Sequence, residues 1–141
     1  MLRSVFVLAT LAAAASAQCA SLTVTGSGAP GTTLTAALDG TSPNAIAWLV
    51  LGETQGTTAI NLGPLGSLTL GLAAPFTPAP MGMTNLQGDV SLGINVPTTG
   101  PTTGLDLFAQ GVTLGFTFTP GPNPFGFNWC ASNVVGFHIG N

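Results

Sequence analysis

The side chains that could do chemistry in this chain are few: one histidine, His138, four carboxylates, Asp39, Glu53, Asp89 and Asp106, and two cysteines, Cys19 and Cys130. Acid-base or nucleophilic catalysis by His138 would need a nucleophile or a carboxylate brought to it from elsewhere. Its neighbours Phe137 and Ile139 alternate with it on a closing strand and turn it away from the core. A surface role is expected, and no catalytic residue is assigned. The chain contains no G-x-S-x-G, no H-E-x-x-H and no glycine-rich phosphate loop opening a helix. The carboxylates stand singly at the edges of strands or turns, without the D-x-D-x-D-G spacing of a calcium loop. Solvated turn carboxylates are therefore expected, with Asp39 and Asp89, each beside a glycine, suited to hydrogen-bond their own turns. No metal site and no cofactor is expected.

A second constellation is aromatic. Phe125, Phe127 and Trp129 follow Pro122-Asn123-Pro124 and run directly into Cys130. Exposed on a loop, these rings would form a stacking platform for sugar or a hydrophobic anchor for a partner. Covering a disulfide and closing one end of the fold, they would be packing. Packing is the expectation here, and more firmly so for Trp48, which sits inside the most apolar run of the chain.

Composition narrows the functions. Only 4% of residues are charged, against roughly 25% in an average soluble domain, so Thr, Ser, Asn, Gln and backbone must cover the surface. Arg3 is the single basic residue. Nothing can neutralise phosphates, which removes the electrostatic basis for binding nucleic acid or anionic lipid. The hydrophobic fraction of 45% is ample for a core.

Residues 1–17 have the three parts of a secretory signal peptide: Arg3, an apolar stretch of Val, Phe, Leu and Ala, and Ala15-Ser16-Ala17 before the cut. The mature chain would be a single domain over residues 18–141, opening on a Gln18 able to cyclise and having no membrane span. An uncleaved helix, or lipidation at Cys19, are the alternatives; Gln18 is larger than lipoprotein processing prefers. Export makes the cysteines informative, because oxidising compartments favour pairing and two cysteines allow one intramolecular bond, Cys19 to Cys130. Such a bond closes a loop of over a hundred residues and contributes about 4 kcal/mol in the chain-entropy account. Redox or metal chemistry would need neighbouring Cys or His ligands, and the sequence offers none.

The elements that must position these groups are strands. Residues 45–52, A-I-A-W-L-V-L-G, read as a strand buried on both faces in mid-sheet. Residues 21–25, 32–38 and 90–96 alternate apolar and polar, placing Leu34, Ala36 and Leu38 on one face and Val90, Leu92, Ile94 and Val96 on another. Residues 58–62 and 66–70 fit short strands across Gly63-Pro64-Leu65, and residues 71–83, broken by Pro and Gly, fit an irregular crossover. A strand with an irregularity at Gly111 should run from residue 105 to 118, a Pro/Gly loop from 119 to 126, and a last strand from 134 to 139 with Val135, Phe137 and Ile139 on one face. About eight short strands without helical period predict an antiparallel β-sandwich of immunoglobulin or fibronectin type. A closed barrel is the second choice.

The order of L-T-V-T-G-S-G-A-P-G-T-T-L-T, P-N-A-I-A-W-L-V-L-G, N-L-G-P-L-G-S-L, G-D-V-S-L-G-I-N-V-P, L-F-A-Q-G-V and A-S-N-V-V-G-F along the chain resembles a class of exported β-sandwich domains abundant in planctomycete-type bacteria. The resemblance spans nearly all of residues 18–141, although the class usually reads Q-A where this chain has Gln110-Gly111. It implies fold and export and carries no catalytic or ligand residue. The expectation is a secreted, non-enzymatic module, structural or adhesive at the cell surface or in an extracellular matrix, with a cell-envelope protein or polysaccharide as partner. The alternative is a carbohydrate-binding domain using Phe125, Phe127 and Trp129. An enzyme ranks third, for want of acid-base groups.

Overall fold

The computed structural model describes residues 19–98 and 104–140. Residues 1–17, expected to be a signal peptide, Gln18, residues 99–103 and Asn141 lie outside the described residues. Nine strands follow one another: β1 (Ser21–Thr25), β2 (Thr33–Asp39), β3 (Ile46–Gly52), β4 (Gln55–Asn61), β5 (Ser67–Leu72), β6 (Phe76–Met83), β7 (Val90–Asn95), β8 (Leu105–Phe118) and β9 (Phe125–Ile139), with a 3-10 turn at Gly63–Leu65 between β4 and β5. One sheet has the order β1-β2-β7, a second β6-β3-β8-β9, and β4 and β5 form a separate hairpin. Every pairing is antiparallel. With the hairpin set aside, the other seven strands take the first-second-fifth and fourth-third-sixth-seventh arrangement of a fibronectin-type sandwich. The expected fold class is the observed one.

The central strand is where it was expected, between β6 and β8, and its two faces are buried by different layers. Alternation sends Ala47 and Leu49 into one core with Leu22, Ala36, Leu38 and Ala109, between the two main sheets. Val50 points the other way, into a second core with Leu70, Leu72 and Val112 beneath the β4–β5 hairpin. The molecule is thus a sandwich with a third, two-stranded layer on its outer side. Leu22, Leu34, Leu38, Leu49, Leu70 and Leu72 are fully buried, each contributing roughly 1.5–3 kcal/mol by leaving water. The polar groups that enter are satisfied: among the described residues no buried side-chain nitrogen or oxygen lacks a hydrogen-bond partner. Threonine does what charge does elsewhere. Thr84 Oγ1 donates to Ser42 O at 2.7 Å and accepts from Ala45 N at 2.9 Å, fixing the entry to β3.

The two sheets are tied along one side by Asn133, whose Oδ1 accepts from Leu22 N at 2.8 Å while Nδ2 donates to Leu22 O at 3.1 Å. A side-chain amide thus stands in for a ladder residue between β9 and β1. At Gly88 only glycine serves: its φ is +81° and an added Cβ would run into Thr41 O.

Two expectations need correction. Residues 76–83, expected to be irregular, form the edge strand β6, paired with β3 from Ile46↔Met83 to Gly52↔Phe76 with a bulge at Ala47/Trp48. Pro78 and Pro80 are two residues apart and so turn toward the same edge, and an outer strand needs no donors on the edge away from its neighbour. Residues 125–126, expected in the Pro/Gly loop, and residues 127–133, outside the expected last strand, belong to β9, a 15-residue strand paired with β8 from Leu105↔Ile139 to Phe118↔Phe125.

Candidate functional site

The long β8–β9 pair carries every group singled out above except Cys19, Trp48 and three carboxylates. At its lower end the register sets Asp106 opposite His138, and His138 Nδ1 donates to Asp106 Oδ1 at 2.6 Å. Asp106 therefore does not stand alone, and His138 does meet a carboxylate. Both are open to water, at 52% and 81% side-chain exposure for His138 and Asp106, where a charge pair is worth about 0–1 kcal/mol. The shallow depression beside them is completed by Leu107, Phe108, Gly136 and Phe137, which bring no hydroxyl or thiol for His138 to activate. Asp89 also departs from expectation. Asn85 Oδ1 holds that turn, accepting from Gln87 N and Asp89 N at 3.0 and 2.9 Å, while Asp89 Oδ1 accepts from Gly40 N of the neighbouring loop at 3.4 Å. Among the described residues no three His, Cys, Asp or Glu side chains gather where an ion could sit.

Cys19 and Cys130 are bonded to each other, with Cα atoms 5.7 Å apart across a sequence separation of 111. By alternation Cys130, opposite Thr113, faces the interior of the sandwich. Phe125, Phe127 and Trp129, at odd positions, face the other way. The rings therefore do not cover the disulfide.

What they do is set by how far β8 and β9 outrun the sheet. The pairing of β3 with β8 ends at Ile46↔Leu114, so residues 115–118 and 125–128 continue as a two-stranded ribbon about 13 Å long. The register Phe116↔Phe127 and Phe118↔Phe125 places four phenylalanines on one face, packed as two edge-to-face pairs with centroids 5.6 Å apart and planes at 74° and 66°. The other face carries Gly115, Thr117, Gly126 and Asn128. The ring face is open: Phe116, Phe118, Phe125 and Phe127 are 54%, 68%, 72% and 44% exposed. Packing, expected for Phe125 and Phe127, is not what the structure shows. Phe116 and Phe118 are not among the expected site residues, because a strand pattern alone does not mark them as exposed. The signal was there, since F-T-F and F-G-F alternate on either side of a Pro/Gly turn.

Trp129 is the exception and does pack. Its ring lies 5.9 Å from that of Trp48, and its Nε1 donates to Leu65 O at 2.7 Å, so the 3-10 turn of the β4–β5 hairpin caps it. The hairpin itself is held by Gln110, whose Oε1 accepts from Gly71 N and whose Nε2 donates to Ser132 O, both at 2.8 Å. Ser132 Oγ accepts from Gly111 N at 2.8 Å, at the bulge between Gln110 and Val112. Gly111 is the irregularity expected at that point. An added Cβ there would lie 2.5 Å from Leu38 Cδ1, so the absence of a side chain at this position leaves room for a core leucine.

Across the sheet, the row Met83, Ile46, Leu114, Trp129 joins the ribbon's ring face at its base. The hairpin reaches the outer face of this sheet as far as Trp129; in the rest of the row Leu114 is buried, Ile46 is half-buried and Met83 is 62% exposed. No helix among the described residues is long and apolar enough to cross a membrane. The chain matches no protein-family model and no curated protein sequence.

Proposed function

We propose that this chain is an exported, non-enzymatic β-sandwich module, structural or adhesive in role, that works at the cell surface or in an extracellular assembly through its aromatic ribbon. It belongs, on this reading, with the exported β-sandwich domains abundant in planctomycete-type bacteria that its motif order resembles. The observation that carries the reading is the ladder of four phenylalanines on the ribbon: the rings are 44–72% exposed and belong to neither buried core. The Cys19–Cys130 bond supports export, and a surface almost free of charge suits a crowded, weakly hydrated assembly.

A sugar reader is the second proposal, since exposed rings can stack on pyranose faces. Edge-to-face pairs at 74° and 66° offer ring edges where a sugar wants one flat platform, and the ribbon brings no charged partner for hydroxyls. Glycan-array binding of the wild type, Trp129→Ala and Phe125→Ala/Phe127→Ala separates the two. No binding by any of them is expected. A measurable affinity lost in the phenylalanine variant would instead make the ribbon a carbohydrate site. Fractionation of the native cells tests location, with the protein expected in the envelope or medium and its retention in the cytoplasm refuting the proposal.

A further inference from the structure

We propose that the occupant of the phenylalanine ladder is the ladder of a second copy, so that the protein is a two-fold dimer joined ribbon to ribbon. This rests on the ribbon being the contact element and commits it to one partner. Area is the first argument. The four ribbon phenylalanines, at 44–72% exposure, lie on one face of the ribbon. With each such side chain presenting on the order of 200 Å², they leave about 480 Å² of apolar surface in water. That lies in the upper half of the roughly 300–600 Å² largest patch of an ordinary monomer. Two such faces together hide about 950 Å², the size range of weak, reversible interfaces.

The second argument is charge. Residues 107–137 contain no charged side chain, so two copies meet without repulsion despite a formal net charge of -3. An anionic membrane has no lysine or arginine to hold on the described surface. A protein partner patterned with charge would have to desolvate it against bare rings. A surface of the same neutral, aromatic kind fits best, and this chain supplies one.

Symmetry is the third. In a two-fold contact the same patch serves both partners. Running antiparallel, the tip pair Phe118/Phe125 of one ribbon lies over the base pair Phe116/Phe127 of the other. Each chain's edge-to-face pairs then offer ring faces and edges to the other's.

The test is sedimentation equilibrium on protein produced from the full chain in an exporting host, so that Cys19 and Cys130 oxidise. The wild type is expected to pass from one to two chain masses with a dissociation constant in the micromolar range. Phe118→Ser/Phe125→Ser should weaken association at least roughly 100-fold, whereas Leu86→Ser, at an apolar residue 74% exposed on another loop, should leave it unchanged. If the double variant does not fold by circular dichroism, a photo-crosslinking phenylalanine analogue at position 118 of otherwise wild-type protein must yield a species of twice the chain mass. A single-chain mass at concentrations of about 100 µM, association indifferent to the double variant, or a monomer that binds phosphatidylcholine vesicles or polysaccharide through the ribbon would each overturn the dimer. A monomer still found in the envelope or medium would overturn this inference alone and leave the exported-module reading in place.

Discussion

Gln110→Leu is the substitution that most directly probes how the third layer is held. Gln110 is 5% exposed and is the polar link between the β4–β5 hairpin and the second sheet, bonded to Gly71 N and Ser132 O at 2.8 Å each. Leucine has nearly the same volume and fits the apolar surroundings, so the cost is the two backbone groups left without partners, about 1–3 kcal/mol each. Against this stands a gain of about 1 kcal/mol from the more apolar side chain. The net expectation is a loss of about 1–5 kcal/mol. The chain contains two tryptophans and no tyrosine, and both tryptophans lie on the face that the hairpin covers, so intrinsic fluorescence reports on that layer. In urea, the variant's emission should shift to the red before far-UV circular dichroism shows the sandwich unfolding, because the hairpin lifts first and Trp129 Nε1 loses Leu65 O. Coincident transitions within about 1 kcal/mol of wild type would refute the idea that Gln110 pins the layer.

Three further outcomes follow from the same structure. Gly111→Ala should cost about 1–3 kcal/mol by overpacking against Leu38, read by calorimetry, and a Leu38→Val background should recover part of it. Cys19→Ser/Cys130→Ser should lower the urea-derived stability by about 4 kcal/mol while the native circular dichroism spectrum is kept; an unchanged midpoint would mean that the bond constrains nothing in the unfolded chain. Asp106→Asn should change stability by less than about 1 kcal/mol, and the shift of the His138 ring resonances in NMR would show that the contact had nonetheless been lost.

Where the sequence was legible, the pattern was local. Leu34, Ala36 and Leu38 alternate with Thr and Ala and end beside Gly40, so β2 needs nothing beyond its own residues to be recognised. The same holds for β7, stopped by Pro97. The two cysteines admitted one bond, and it is the one present. What stayed hidden depends on partners far along the chain. Pro78, Pro80 and Gly82 conceal β6, because a proline is harmless only on an outer edge and nothing local says which strand is outermost. The meeting of Asp106 and His138 depends on the register of a long hairpin that carries a bulge, and a single extra residue reverses which side chains face each other. The β4 and β5 strands could be read, but their place over Val50 and Val112 could not. It depends on Gly71 letting the hairpin approach within reach of Val134 and Gln110.

The ribbon poses a different problem, because it was misjudged although its pattern was local. Phe125 and Phe127 were expected inside, since a phenylalanine gives up roughly 1.5–3 kcal/mol by staying in water. A fold selected for stability alone would end β8 at Leu114, where its pairing with β3 stops, and turn back with Thr and Asn. This chain instead extends both strands and places rings at all four positions of one face, while Gly115, Thr117, Gly126 and Asn128 keep the other face slight and polar. Departures from local economy concentrate where function is, and here the departure is confined to one face of one ribbon. The phenylalanines should accordingly be dispensable for folding. Phe118→Ser/Phe125→Ser, which removes the tip pair, is expected to leave the monomer's urea midpoint within the equivalent of about 0.5 kcal/mol of wild type. A loss of several kcal/mol would instead make the ladder part of the fold's own scaffolding.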